Sequence, residues 1–250
     1  MTRAGVIRLA VVGAGAAALE IACRAGWIDP VSVIPPSRMV AGAFRLLASG
    51  KYSADILLTL ENVGLALLLS IAFGFLGGLV LHRLPRLRRA IDPMLASYYA
   101  VPTFLFYPLF IVLFGLNRWP LVAIGFLFGV VAMILNTLHG FERVPLVLGK
   151  AARVMRLTRT QEIALVTLPA CAPYIFTGVK LAIVYSFIGV IAGEFVLSGA
   201  GFGFQIAFAY NNFDNSTMYG LMLLLLLLVG GVNMLLYYWE RRLYARQARP

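Results

Sequence analysis

Charge is scarce in this chain. Only 12% of its 250 residues are Asp, Glu, Lys or Arg, about half of the roughly 25% found in a soluble domain. That leaves too little polar surface to face water and excludes a soluble globular fold. Acids are scarcer still, ten against 21 bases, for a net charge of +11. The two cysteines, Cys23 and Cys171, form no CxxC pair or metal-ligand spacing, which excludes a zinc site and a disulfide framework. His82 and His139 are isolated and read as loop or helix-end residues. HExxH, GxSxG, a Ser/His constellation and paired intramembrane acids are all missing, so no catalytic group is expected in this chain. Also missing is the ten-residue alternation of a membrane β-barrel; Leu221–Val229 is solidly apolar.

What is present is apolar sequence in long runs: 61% of the residues are hydrophobic, and a helix needs roughly 20 such residues to cross a bilayer. The expected fold class is all-α, a polytopic membrane protein. Six spans are expected, near 6–24, 55–81, 90–115, 119–139, 172–197 and 218–239. Met1–Arg8 followed by Leu9–Leu19 reads either as a signal peptide or as a retained first helix. Trp27, an interfacial anchor, favours the retained helix. The connections then alternate: Arg24–Ala54 outside, His82–Arg89 inside, Leu116–Arg118 outside, Gly140–Cys171 inside and Ser198–Thr217 outside. Both termini are expected in the cytoplasm. Fifteen bases fall inside, among them Arg3, Arg8, Arg241, Arg242, Arg246 and Arg249, against five outside (Arg24, Arg38, Arg45, Lys51 and Arg118). That bias fits the positive-inside rule and accounts for most of the net charge without nucleic acid as a partner.

Within the spans, Pro93, Pro102 and Pro108 recur in one apolar stretch. Each removes a backbone donor, and the freed carbonyls need partners inside the protein or in a wet cavity. Residues 93–108 therefore either pack against other helices as a kinked element or line a path. Gly74, Gly77 and Gly78 read as a close helix contact, and Leu221–Leu228 as lipid-facing.

The insert at 142–170 is basic and helix-forming. Pro145 suits a helix start, Thr158-Arg159-Thr160-Gln161 fits a capping box, and Pro169 and Pro173 are expected to end the second helix before the fifth span. Two short helices with a corner near Arg156-Leu157 follow. Composition alone favours this element lying on lipid headgroups.

The spacing favours another role. Lys150-Ala151-Ala152, three residues, Arg156, nine residues, then Val166-Thr167-Leu168-Pro169 resembles the pattern Glu-Ala-Ala, three, Gly, nine, Ile-x-Leu-Pro. That pattern belongs to the loop by which permease subunits of bacterial ABC importers dock on their ATPase. Further pieces follow in order across 35–243: Ile34-Pro35-Pro36-Ser37, Asp92-Pro93, Pro102, Pro108, Phe114-Gly115, Asn136-Thr137, Gly140, Thr177 to Ala182, Ala192-Gly193-Glu194-Phe195 and Gly201-Phe202-Gly203-Phe204. Together they resemble the nitrate/taurine/sulfonate branch of the binding-protein-dependent permease family.

The resemblance implies an N-terminal span and periplasmic segment at 1–54, a permease core at 55–243 and a cytoplasmic tail at 244–250. It implies the type I importer permease fold in a bacterial inner membrane, and no cofactor in this chain. ATP and Mg would be bound by a partner ATPase present in two copies. A second permease copy, forming a homodimer, a periplasmic binding protein and membrane lipid complete the implied partners. Relatives carry sulfonates, nitrate, bicarbonate, thiamine precursors or aromatic acids, moved by alternating access.

The implied ATPase-coupling residues are Lys150, Ala151, Ala152, Arg153, Met155, Arg156, Leu157, Thr158, Leu168 and Pro169. Two of them depart from the pattern. Lys150 reverses the charge of the usual Glu. Arg156 replaces a Gly that permits positive φ, so the corner is expected either to use ordinary backbone angles or to be held by a compensating partner. Tyr98, Tyr99, Pro102, Asn136 and Glu194 are candidates for the path or its gating. An acid within a span is costly, and at the outer end of its span Glu194 is expected to snorkel or bond a neighbouring helix. Lys180 is expected to snorkel inward, and Asn211–Asp214 to form a polar outer loop. Two other classes compete, a membrane scaffold subunit and a secondary transporter, but the latter calls for an internal repeat and ionisable residues near the midplane.

Overall fold

The computed structural model describes residues 3–29 and 32–247, and every regular element among them is helical. Three helices build the centre: α3 (Ser53–Arg83), α6 (Trp119–Glu142) and α9 (Leu168–Leu197). α6 lies between the other two and packs along both. Glycine sets the spacing of these contacts. A Cβ on Gly74 or Gly78 of α3 would sit 2.5 Å from Met133 Cβ or 2.6 Å from Thr137 Cβ of α6. On Gly125 of α6 it would meet Val190 Cγ2 at 2.6 Å and Ala66 Cβ at 2.9 Å. The contact expected from the α3 glycines is present, and α6 and α9 add glycines of their own. Lipid chains are as apolar as the helices, so close van der Waals approach replaces the hydrophobic effect as the source of affinity.

Hydroxyls reinforce this centre. Four successive carbonyls of α6 each accept one: Gly125 O from Ser186 at 3.2 Å, Phe126 O from Ser70 at 3.1 Å, Leu127 O from Tyr98 at 3.0 Å and Phe128 O from Tyr99 at 3.3 Å. The donors come from α9, from α3 and from the short 3₁₀ turn Tyr98–Ala100. One level of α6 is thereby tied to three separate elements. Each such bond in a membrane contributes about 0.6 kcal/mol.

The stretch expected as one span at 90–115 is broken. α4 (Pro85–Ser97) and α5 (Tyr107–Phe114) are joined through two 3₁₀ turns and bent by 94°. Pro102 stands at the break, φ −68° and ψ 92°, where it can donate no hydrogen bond to continue the helix. α4 is anchored at its base by Arg88, which pairs with Asp92 and with Glu142 at the end of α6.

Two of the three connections expected outside contain helices. α2 (Pro36–Ser49) starts on Pro36 and ends on Gly50 at φ 66°; α10 (Phe202–Asn211) starts after Gly201 at φ 102°. Both pack on α11 (Asn215–Gln247), around a cluster of Tyr52, Phe202, Ile206, Met218 and Leu221. Leu221 is thus fully buried, contrary to the lipid-facing expectation, whereas Leu226 and Leu227 are exposed. α1 (Arg3–Arg24) covers the residues expected as the first of six spans but is not among the helices counted below as able to cross a bilayer, and Glu20 near its end accepts from the N–H and hydroxyl of Ser37 in the first turn of α2. Four helices among the described residues are long and apolar enough to cross a bilayer, five if the bent pair is one span. Of the terminal bases, Arg249 lies outside the described residues, as do residues 248–250 of the expected tail.

Gly125→Val places a branched side chain between Val190 and Ala66. It is expected to cost about 1–3 kcal/mol, read as a lowered thermal midpoint of the detergent-purified protein. Gly64→Ala, which meets nothing within 4 Å, should stay within about 0.5 kcal/mol of the parent.

Candidate functional site

Two built regions lie at opposite ends of α9. The first is the insert. α7 (Leu146–Val154) follows Pro145, and α8 (Arg159–Glu162) opens on the expected capping box. Thr158 N–H donates to Gln161 Oε1 at 2.9 Å, and Gln161 N–H donates to Thr158 Oγ1. Between them the corner is a Schellman turn: Leu157 N–H donates to Ala152 O and Arg156 N–H to Arg153 O, both at 3.0 Å. The turn requires a left-handed residue, and Arg156 supplies it at φ 53°. Ordinary angles at this corner are therefore excluded. Arg156 takes the glycine conformation of the pattern despite its Cβ, at a cost of about 1–2 kcal/mol.

The prolines expected to end the second helix do not. Ile163–Thr167 forms a π-helical turn in which Leu168 N–H reaches back to Ile163 O, and α9 continues from it with Pro169 in its first turn and Pro173 inside. The wider turn accommodates an added residue and a missing donor without breaking the rod. α8 and α9 therefore form one helical run.

Of the sequence candidates here, Ala152 is buried, Leu157 and Leu168 are half-buried, and Lys150, Ala151, Arg153, Met155, Arg156, Thr158 and Pro169 are exposed. Leu146, Val147, Val154, Met155 and Leu165 also present apolar side chains, each at least 65% exposed. A groove of about 480 Å³ lies between Leu148 of α7 and Leu165, Pro169 and Pro173. Exposed apolar groups among four bases make a surface for a protein partner or for lipid rather than for water.

The second region is at the far end of α9. Gly201, Phe202 and Gly203, at the start of α10, have three successive N–H groups with no partner inside that helix. Asp55 Oδ1 accepts the first at 3.0 Å, Thr59 Oγ1 the second at 2.8 Å and Glu194 Oε2 the third at 3.0 Å. Thr59 in turn donates to Glu194 at 2.7 Å, and Gln205 donates to Asp55. Two carboxylates at a helix N-terminus also complement its dipole. Glu194 has no exposed surface, so it does not snorkel; it bonds neighbouring elements. Gly201 and Gly203 are required beside it, since a Cβ on Gly201 would lie 2.5 Å from Glu194 Cδ and one on Gly203 would lie 2.6 Å from Ile191 O.

The other path candidates are dispersed. Tyr98 and Tyr99 brace α6, with Tyr99 also stacked on Tyr185 at 5.1 Å. Asn136 donates to Ala132 of its own helix, Pro102 marks the bend, and Lys180 is half-buried. Asn211 ends α10, Phe213 turns at φ 57°, and Asp214 Oδ1 accepts from Thr217 at the start of α11. Asp55, Thr59 and Asn62 went unread in the sequence, although their i, i+4, i+7 spacing puts one polar stripe on an apolar span.

The class this geometry defines is a polytopic helical membrane protein with a protruding basic corner and a helix-capped far end. The chain belongs to the family described as "Binding-protein-dependent transport system inner membrane component", whose pattern matches residues 70–249. It is a multi-pass inner-membrane protein. It is 31% identical to the nitrate import permease protein NrtB of Leptolyngbya laminosa over 73% of this chain and 64% of that one. It is 32% identical to the bicarbonate transport system permease protein CmpB of Synechococcus elongatus over 60% and 53%. The match thus spans less than two thirds of those relatives. Among solved structures, a chain of the MetNI methionine ABC transporter has the same fold, with TM-score 0.63 at 17% identity, covering 79% of this chain and 96% of that one.

Thr59→Val keeps the shape, strands the Phe202 N–H and leaves Glu194 Oε2 with the Gly203 N–H as its donor, at about 1–3 kcal/mol. Amide hydrogen exchange at 201–204 should accelerate while α7 is unchanged. Arg156→Gly should raise stability by about 1 kcal/mol, with slower exchange of the corner amides.

Proposed function

We propose that this chain is the permease half of an ATP-driven importer and carries its solute by alternating access. The observation that supports it most is the unbroken run from the α7–α8 corner into α9. A displacement at that corner is delivered to a span without a flexible joint. At the other end of the same helix Glu194 grips α10, so a tilt of α9 reaches both faces of the membrane. Glu194 on this reading is a gating residue; it does not bind the solute. Tyr98, Tyr99, Asn136 and Pro102 belong to the wall of the path, with Tyr98 and Tyr99 bracing α6.

The corner faces the cytoplasm, where most of the bases lie, and both termini lie on that side. Its exposed residues Lys150, Ala151, Arg153, Met155, Arg156 and Thr158 fit a groove on a partner ATPase, present in two copies, which binds ATP and Mg. Ala152, Leu157 and Leu168 hold the corner's shape. The chain itself does no chemistry. A second copy completes the path as a homodimer, and a periplasmic binding protein delivers the solute. The named relatives import nitrate and bicarbonate, which supports a small oxyanion; sulfonates, thiamine precursors and aromatic acids belong to the same class of candidates. The rival readings, a scaffold subunit or a secondary transporter, have no comparable lever.

Lys150 stands where an acid is usual, so the cognate ATPase is expected to offer an acid to it. Lys150→Glu should then lower ATPase stimulation in the reconstituted complex by about tenfold or more, as a like-charge contact costs several kcal/mol. An unchanged or higher rate contradicts the pairing. A thiol at Met155→Cys that reacts only in inverted vesicles supports the orientation; reaction from the outside overturns it.

A further inference from the structure

Five bases lie at the end of the molecule that holds α2 and α10. Two have acid partners: Arg24 with Glu20 at 2.6 Å and Arg118 with Glu61 at 3.2 Å. The other three, Arg38, Arg45 and Lys51, are all on α2 or in the turn behind it, and among the described residues none makes an ion pair. No acid occurs between Asp29 and Asp55. Arg45 contacts only the carbonyl of Ala41 in its own helix, and Lys51 lies over the Tyr52 ring. Among the described residues no ion pair neutralises this positive patch.

α2 has a second unspent feature. Gly42, Ala43 and Leu46 face α11: a Cβ on Gly42 would meet Ser216 O at 3.5 Å, and one on Gly220 would meet Leu46 at 2.8 Å. Val40, Phe44 and Leu47 follow i, i+4, i+7 spacing on another face and are 59%, 73% and 60% exposed. On the helical wheel Arg38 and Arg45 lie roughly opposite that stripe. An apolar stripe with bases on the other side of one helix is the pattern of an element lying in the headgroup layer. Trp27, 80% exposed after α1, is of the type that anchors at the same depth. Between α2 and the first turn of α11 runs a groove of about 310 Å³ lined by Arg45, Ser49, Ser216 and Thr217, a guanidinium with three hydroxyls. A second copy of this chain is a poor occupant, because it would set an equal positive patch against the first.

We propose that α2 is a lipid-binding element: Val40, Phe44 and Leu47 sit among acyl chains, while Arg38, Arg45 and Lys51 gather anionic phospholipid headgroups. The test uses the full chain in bilayers, with Phe44→Trp as the sole tryptophan and Trp27, Trp119 and Trp239 changed to Phe. Quenching by brominated phosphatidylglycerol is compared with quenching by brominated phosphatidylcholine. A preference of about fivefold for the anionic lipid is expected, the enrichment that one base near a charged leaflet provides. It should vanish in the R38Q/R45Q/K51Q variant, or in high salt should that variant misfold. Equal quenching by the two lipids overturns the proposal, as does a preference that survives charge removal. Absence of quenching by either lipid also overturns it, because the stripe would then be covered by protein, whether a soluble partner or another copy.

Discussion

The close approach of α6 to α3 and α9 is the constraint on which the rest of the structure depends. In a bilayer the surrounding chains are as apolar as the helices, so burial alone does not hold them together. Contact close enough for dispersion does, and it demands glycine where backbones meet. Gly74, Gly78, Gly125 and Gly129 each leave room that a methyl group would fill. At this spacing short hydroxyls reach the neighbouring backbone, so Ser70, Ser186 and the two tyrosines can bond α6 carbonyls. The same residues that allow the approach thus make its polar fastening possible.

The ends of the molecule follow a second rule: a helix that begins near apolar surroundings needs acceptors for its first N–H groups. The chain solves this twice with carboxylates borrowed from elsewhere. Glu20, near the end of α1, receives the start of α2. Asp55, Thr59 and Glu194 receive the start of α10. In the second case the acceptors come from two different spans. The α9–α10 elbow is therefore fastened to α3, and α9 cannot tilt without either carrying that assembly or breaking it. This makes Glu194 the joint between α9, α3 and the start of α10.

At the opposite end, strain is kept where the family pattern places a glycine. Arg156 holds a left-handed conformation that its Cβ disfavours, stabilised by the Schellman bonds on either side. The turn forms at that cost, so the bonds on either side of Arg156 outweigh the strain. The π-helical turn that follows carries the chain past Pro169 without a break and keeps corner and span one body.

The sequence by itself determined the class of fold, the position of the corner, its capping box and the glycine contact of α3. All of these depend on local periodicity, on a short-range side-chain bond or on residue size. It also showed where the chain is basic. Only the tertiary structure decided that span three is bent, that Pro169 and Pro173 lie inside a continuous rod, and that Leu221 is buried. Proline marks where a hydrogen bond is lost, but whether the chain bends or widens there depends on what packs around it. Likewise the polar stripe Asp55, Thr59, Asn62 is visible along one helix, yet its meaning lies in two N–H groups more than 140 residues away, which Asp55 and Thr59 accept. Bonds between residues so distant in the chain have no local signature, because they form only when the bundle brings the helix ends together.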